Sequence, residues 1–256
     1  MQNYIFPGVK IGVLIPAYNE ELNIGQVLEE IPRNISNDFN IIVVDDGSTD
    51  KTSEIASEYD IILLKHLKNR GNGAATNKGL NYCRQRNFDI VIILDADGQH
   101  NPKYISKFIS PILDNSIDFT IGNRFKYYYN MSSKRKLCSK LMTAFYFIFL
   151  RKKVADPTNG YRALSSRLLK ELEFESEYSL TQEMLYKIIP FYKYKQIPIK
   201  VRQRIHGTSF ISIRNYLLKI VLLFLKFYIF PRIKKLTHKI LSDEFRTRVK
   251  TYYLKT

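Results

Sequence analysis

The sequence predicts an α/β protein: a mostly parallel sheet with helices on both faces. Short, unbroken apolar runs rich in β-branched residues recur through residues 9–95. Helical periodicity fills the intervals between them, and the runs close on acids, amides, proline and glycine. A strand covered on both faces needs apolar residues on both sides, so it reads as a continuous apolar run rather than an alternation.

The first run, VKIGVLIP (9–16), is closed by proline and predicts a buried strand. Asn19 is placed to cap the next helix, where Ile24, Val27, Leu28 and Ile31 fall at i, i+3, i+4 and i+7. NIIVVDDGS (40–48) is a second strand, residues 51–59 a helix and IILL (61–64) a third strand. NRGNGAATNKGLNYC (69–83) is a glycine-bearing loop feeding a helix, and DIVIILD (89–95) is a fourth strand. Later, FTIGNRF (119–125) predicts a strand ending at Arg124, and SLTQEMLYKII (179–189) a helix. IPIKVRQRIHGTSF (197–210) predicts a strand with a basic end. KLMTAFYFIFL (140–150) is strongly apolar between KRK (134–136) and RKK (151–153). NYLLKIVLLFLKFYIFPRIKK (215–235) has an apolar core of 15 residues, Tyr216 to Phe230, interrupted by Lys219 and Lys226. A membrane-crossing helix needs about 20 apolar residues, so this segment predicts an interfacial amphipathic helix or one packed on the domain.

At 256 residues, with 45% hydrophobic and 25% charged residues, the chain can bury a substantial core and is not a disordered protein. Residues 1–120 hold 11 Lys/Arg and 16 Asp/Glu, whereas residues 121–256 hold 29 and 8. The first half is thus mildly acidic, while the second favours polyanions or an anionic surface. Cys83 and Cys138 have no metal-like spacing and predict neither a zinc site nor a disulfide framework. The N-terminus lacks a signal-peptide pattern, so the expected location is cytoplasmic. No signal bears on oligomeric state.

In parallel sheets ligands bind beyond the carboxyl ends of the strands. Three strand ends carry Pro16-Ala17-Tyr18-Asn19-Glu20, Asp45-Asp46-Gly47-Ser48 and Asp95-Ala96-Asp97, all on one edge. Asp-x-Asp, with Gln99 two residues on, supplies hard oxygen ligands for one Mg²⁺ or Mn²⁺ and its diphosphate. The competing reading is that the acids merely cap the next helix through its dipole. Asp-x-Asp alone does not separate the two; the Asp45–Ser48 turn and the downstream bases favour metal–diphosphate binding.

Seven motifs then resemble a known family: IPAYNE (15–20), DDGSTDKT (45–52), NRGNGAA (69–75), DADGQH (95–100), GNRF (122–125), DPTNGYRA (156–163) and RIHGTS (204–209). They occur in the order seen in family 2 glycosyltransferases. Over about residues 9–215 the chain resembles the branch of dolichyl-phosphate mannosyltransferase and bacterial polyprenyl-phosphate glycosyltransferases. The resemblance implies a nucleotide-diphosphosugar-binding domain (GT-A, Rossmann-like) over residues 1–210, with a nucleotide-sugar half (1–120) and an acceptor half (121–210). A basic amphipathic helical tail (211–256) is expected to follow, associated with the cytoplasmic face of an anionic membrane.

The resemblance also implies inverting transfer from a GDP- or UDP-linked sugar, dependent on Mg²⁺ or Mn²⁺. Pro16, Ala17, Tyr18, Glu20, Val44 and Asp46 would bind the nucleoside, and Asp95 and Ala96 nucleotide and sugar. Asp97 and Gln99 would hold the metal, with Asp95 and Asp97 as the catalytic carboxylates. Arg124 and Arg204 would meet phosphates, since guanidinium suits bidentate contacts. His100 and His206 are read as structural or as supports for the site residues rather than as catalytic. Phe210 stands where the lipid-phosphate branch often has lysine, with Arg214 the nearby base.

Two acceptors remain open at this stage. A polyprenyl or dolichyl phosphate is largely ionised near neutral pH and needs no protein base. A glycan hydroxyl does need one, and Glu183 is the candidate. Outside catalysis, a membrane scaffold or a nucleic-acid binder would account for the basic half. A nucleic-acid binder does not account for three acidic strand ends, which repel phosphate in the absence of metal, and the intact metal-site residues disfavour a non-catalytic scaffold. A nucleotidyltransferase would carry a glycine- and arginine-rich loop where PAYNE stands.

Overall fold

The computed structural model describes residues 8–31, 38–127, 133–177, 179–202, 222 and 224–230. The chain forms two compact units, residues 1–211 and 212–256. The first holds one seven-stranded sheet. Its elements are β1 (Lys10–Ala17), α1 (Ile24–Glu30), β2 (Asp38–Asp45), α2 (Thr52–Ser57), β3 (Ile62–Lys65), α3 (Asn72–Gln85) and β4 (Ile90–Ile93). There follow α4 (Ile105–Leu113), β5 (Phe119–Asn123), α5 (Ser133–Leu150), β6 (Arg162–Ser165), α6 (Ser166–Glu171), α7 (Leu180–Ile188) and β7 (Tyr194–Pro198).

The strand order is β3-β2-β1-β4-β6-β5-β7. The pairs β1–β2, β1–β4, β2–β3 and β5–β7 are parallel, and β6 runs antiparallel to both neighbours. On β1 the residues Ile11, Val13, Ile15 and Ala17 join one core cluster with Ile24, Val27 and Leu28 of α1 and Ile105, Phe108, Ile109 and Ile112 of α4. The opposite face of the sheet, from which Leu14 and Ile42 are equally buried, is covered by α3. Both faces are therefore apolar, as the continuous runs require.

Several expectations are corrected. Asn19 does not cap α1; Asn23 occupies that position without a side-chain cap, and Asn19 sits at φ +54° with another role described below. The last strand is Tyr194–Pro198, earlier and shorter than 197–210. It is an edge strand set by its register with β5, Phe119 opposite Tyr194 and Asn123 opposite Pro198, so YKQ can pair without being apolar. Residues 203–210 lie outside the described residues. So does most of 215–235, of which a π-helical turn, Leu225–Ile229, is described. Three elements had no sequence expectation: α4, which contains Pro111; β6, four residues long; and α6.

Cys83, near the C-terminal end of α3, faces the core, and burial pushes its thiol pKa up to about 12. Thiolate is the reactive form. In a Cys138→Ser background, Cys83 is expected to resist iodoacetamide at pH 8 until denaturant is added. Stoichiometric labelling of the native protein would contradict this placement.

Candidate active site at the strand ends

Because β1 lies between β2 and β4 and runs parallel to both, their carboxyl ends open on one edge. The register puts Pro16 beside Val44 and Ala17 beside Asp45, and the Leu94 N–H donates to the Leu14 carbonyl at 3.0 Å. Pro16, Ala17 and Val44 are buried wall residues, whereas Tyr18 is 41% exposed. The left-handed turn at Asn19 lets it knit two loops together. Its N–H donates to Ser48 Oγ at 3.0 Å, and its Oδ1 accepts the Thr49 N–H at 2.9 Å. The Glu20 N–H donates to Thr52 Oγ1 at 2.8 Å, while its carboxylate accepts from Asn23 Nδ2 at 2.6 Å. Partial burial opposes ionisation of Asp50. The Thr52 hydroxyl and the Thr52 and Glu21 N–H groups outweigh it and hold the carboxyl below its usual range.

The two acids after β2 work inward. Asp45 accepts the Ser48 N–H at 2.9 Å and the hydroxyls of Ser48 and Ser53, closing a turn that needs Gly47 at φ +74°. Asp46, 1% exposed, faces His66 Nδ1 at 2.6 Å and accepts the N–H groups of Arg70 at 3.1 Å and Gly71 at 2.6 Å. Both its oxygens shape the loop that opens α3. His66, at the end of β3, escaped the sequence reading, although the strand-end rule could have found it.

That loop abuts a distant segment. The Ala74 N–H donates to the Glu177 carbonyl at 2.9 Å, and Arg70 pairs with the Glu177 carboxylate at 2.7 Å. A Cβ on Gly73 would lie 2.4 Å from the carbonyl oxygens of Ser176 and Glu177. Overpacking against immobile backbone costs about 1–3 kcal/mol. Gly73→Ala is expected to lose that much in denaturant unfolding, with weaker nucleotide binding; an unchanged midpoint would show that the segment yields.

After β4, the Asp95 N–H donates to His100 Nδ1 at 3.1 Å. That nitrogen is therefore an acceptor, and the nearby Asp95 carboxylate at 3.5 Å is not an ion-pair partner of the same atom. His100 is 5% exposed and packs on Tyr161, which stacks on Phe108. The Asp95 side chain is 37% exposed, and Gly160 lies behind it, where a Cβ would come within 2.8 Å of Oδ2. Ala96 is buried. Asp97 is 7% exposed and accepts the Gln99 N–H at 3.0 Å. Gln99 Nε2 donates, at a long 3.4 Å, to the Arg202 carbonyl, which turns Oε1 the other way. Arg202 is in turn clamped to Glu30 at 2.6 Å. Among the described residues no three His, Cys, Asp or Glu side chains gather into a metal cage. Asp95, Asp97 and Gln99 Oε1 instead offer the sparse hard-oxygen set with which Mg²⁺ or Mn²⁺ is held jointly by protein and phosphate. The donor chemistry fits.

Two of the expected site residues make extensive contacts within the protein. Arg124 Nε and Nη2 make a bidentate pair with the buried Asp156 at 2.7 and 2.8 Å, and Nη2 also reaches Thr158 Oγ1 at 2.8 Å. These contacts make Arg124 part of the 156–158 turn. Glu183 is fully buried. It accepts the N–H groups of Glu175 at 3.0 Å and Ser176 at 2.7 Å, and pairs with Lys187 at 2.7 Å. A general base needs an oxygen open to the acceptor; this carboxylate is a tether. Arg204 and His206 lie outside the described residues. Arg162, 1% exposed, was missed: it donates to the carbonyls of Pro157, Asn159 and Thr181 and so fixes the loop behind Asp95.

A mostly parallel α/β sheet with an acid-bearing edge after its first, second and fourth strands is the framework of a nucleotide-sugar-binding domain. The family model for glycosyl transferase family 2 matches residues 12–173. The chain belongs to that family and is a glycosyltransferase. It is 35% identical over 182 residues to UDP-N-acetylglucosamine–dolichyl-phosphate N-acetylglucosaminyltransferase of Methanococcus voltae, covering 63% of this chain and 72% of that one. It is 29% identical over 212 residues to dolichol-phosphate mannosyltransferase of Pyrococcus furiosus, covering 78% of this chain and 59% of the other. In fold it resembles glucosyl-3-phosphoglycerate synthase of Mycobacterium tuberculosis, crystallised with Mn²⁺, UDP-glucose and phosphoglyceric acid. That likeness has a TM-score of 0.70 at 21% identity and covers 86% of this chain and 79% of that one.

Proposed function

We propose that this glycosyltransferase moves a sugar, with inversion, from a nucleoside diphosphate sugar to a polyprenyl phosphate at the cytoplasmic face of a membrane. The observation that carries the choice of acceptor is Glu183. The carboxylate placed for a base is closed off by two main-chain N–H groups and Lys187, and a phosphate acceptor needs no base. Relatives named for dolichyl phosphate support the same class.

In this reading Pro16, Ala17, Tyr18 and Val44 wall the nucleoside, with Asp46 acting through the Arg70–Gly71 loop. A Mg²⁺ or Mn²⁺ on Asp97 and Gln99 would supply charge neutralisation for the departing diphosphate. Asp95, backed by Gly160 and oriented through His100, bounds the sugar. The acceptor oxygen attacks the anomeric carbon opposite the leaving group. Arg204 is the proposed phosphate contact.

The test is transfer from labelled nucleotide sugars to added polyprenyl phosphate, with Mg²⁺ or Mn²⁺, followed by organic extraction. Label in the organic phase that mild acid releases is the expected result. Label only in acid-stable glycan would replace the acceptor with a hydroxyl.

A further inference from the structure

We propose that Arg202 is a positioning residue for the divalent ion. Clamped by Glu30 of α1, its main chain holds Gln99 by two hydrogen bonds and keeps Oε1, rather than Nε2, as the end offered to the ion. The inference rests on the placing of that ion at Asp97 and Gln99 proposed above.

An amide is a ligand whose direction has to be set. Its oxygen can bind a cation and its NH₂ cannot, although the two ends are similar in size. A carboxylate such as Asp97 needs no such sorting, because both its ends are oxygen. Gln99 is sorted by a residue 103 positions away. Its Nε2 donates to the Arg202 carbonyl at 3.4 Å, and its own carbonyl accepts the Arg202 N–H at 3.0 Å. Side chain and main chain of Gln99 are thus bound to the same partner.

Residues 199–202 run along the metal loop and are fixed at both ends. Ile199 is buried in the core, and its N–H donates to the Asn123 carbonyl at 3.1 Å. The Lys200 N–H donates to the Tyr104 hydroxyl at 3.2 Å. At the other end Arg202 Nη1 lies 2.7 and 2.6 Å from the two carboxylate oxygens of Glu30, 172 positions away in sequence. Glu30 is a firm anchor. It closes α1, whose Ile24, Val27 and Leu28 are buried, and its Oε1 also accepts from Gln26 Nε2 at 2.9 Å. The last turn of α1 has no base of its own. Arg202 supplies the cation that a helix C-terminus favours.

The two side chains are 38% and 29% exposed. An ion pair this open to water adds little to overall stability, so its effect should be read at the site. Outer partners that orient metal ligands are typically worth roughly 10–100-fold in metal affinity. Charge then separates positioning from simple electrostatics. By Coulomb's law alone, removing the cationic Arg202 would tighten a nearby Mn²⁺ and removing the anionic Glu30 would weaken it. Acting through Gln99, both removals weaken it.

The test is Mn²⁺ titrated onto the full chain, alone and with UDP or GDP, followed by loss of the free-ion EPR signal. Arg202→Met and Glu30→Met should each weaken Mn²⁺ binding about tenfold. In a Gln99→Ala background neither should weaken it further. Arg202→Lys, which keeps a charged donor for Glu30, should recover most of the loss. Melting temperatures should stay within about 3 °C of wild type. In transfer assays both variants should need about ten times more Mn²⁺ for half-maximal rate, with the rate at saturating Mn²⁺ within about twofold of wild type. Tighter binding in Arg202→Met, or unchanged binding in either variant, overturns the proposal. So does a rate that stays low at saturating Mn²⁺, which would make Arg202 a contact to substrate. Asp97→Asn controls for the site itself. If it binds Mn²⁺ as wild type does, or if wild type takes up none with or without nucleotide, the metal placing fails and the proposal with it. If Asp97→Asn loses Mn²⁺ while Arg202→Met and Glu30→Met keep it, the positioning role alone fails.

Discussion

Asp97→Asn is expected to lower sugar transfer by about a thousandfold while leaving the fold intact. The asparagine amide oxygen can still accept the Gln99 N–H that Asp97 Oδ1 accepts at 3.0 Å, so the turn into the Pro102–Tyr104 helix survives. What disappears is one unit of negative charge in a place only 7% exposed to water. In the proposed site a divalent ion shared between protein and diphosphate would depend on that charge, because few protein ligands would hold it. Loss of one preorganised electrostatic contact to a leaving group typically costs 10²–10³ in rate, and loss of a metal ligand belongs at or beyond that end. The check is initial rate against Mn²⁺ concentration for wild type and variant, with thermal unfolding alongside. Retention of more than a tenth of the wild-type rate at saturating Mn²⁺ would remove Asp97 from the metal site.

The parallel half of the molecule was legible because its signals are local. Strands β1 to β4 are apolar runs, and their acids sit at chain positions adjacent to those runs. Parallel geometry then brings Pro16–Glu20, Asp45–Ser48 and Asp95–Asp97 to one edge with no further information. Partnerships across the chain were not legible. Arg124 reads as a free base until Asp156, 32 residues on, takes its fork. Glu183 reads as an acid on a helix until the N–H groups of residues 175 and 176 fold onto it. Asn19 looked like a cap because amides often are, yet its left-handed backbone and its bonds to Ser48 and Thr49 give it another task. Strand β6 fits between β4 and β5 with four residues and an opposite direction, so it leaves no pattern of its own.

Glu183→Ala is the second large effect, and it separates a tether from a base. Removal leaves the Glu175 and Ser176 N–H groups without their acceptor and Lys187 without its carboxylate, around a residue that is fully buried. Breaking one side of a buried charged pair costs about 3–5 kcal/mol. For a chain of this size that is roughly 10 °C in melting temperature. The consequence should travel along the observed contacts. Residues 175–177 slacken, the Glu177 carbonyl releases Ala74, and the loop held by Asp46 loses its outer wall. Donor binding should therefore weaken, with KM for the nucleotide sugar rising several-fold and kcat at saturation falling less. A catalytic base would give the opposite pattern: an unchanged melting temperature, an unchanged KM, and a kcat whose rise with pH disappears. Glu183→Gln sharpens the contrast. Its amide oxygen can still accept a main-chain N–H, so a tether should be partly rescued, whereas a base, having lost its only proton-accepting group, should not.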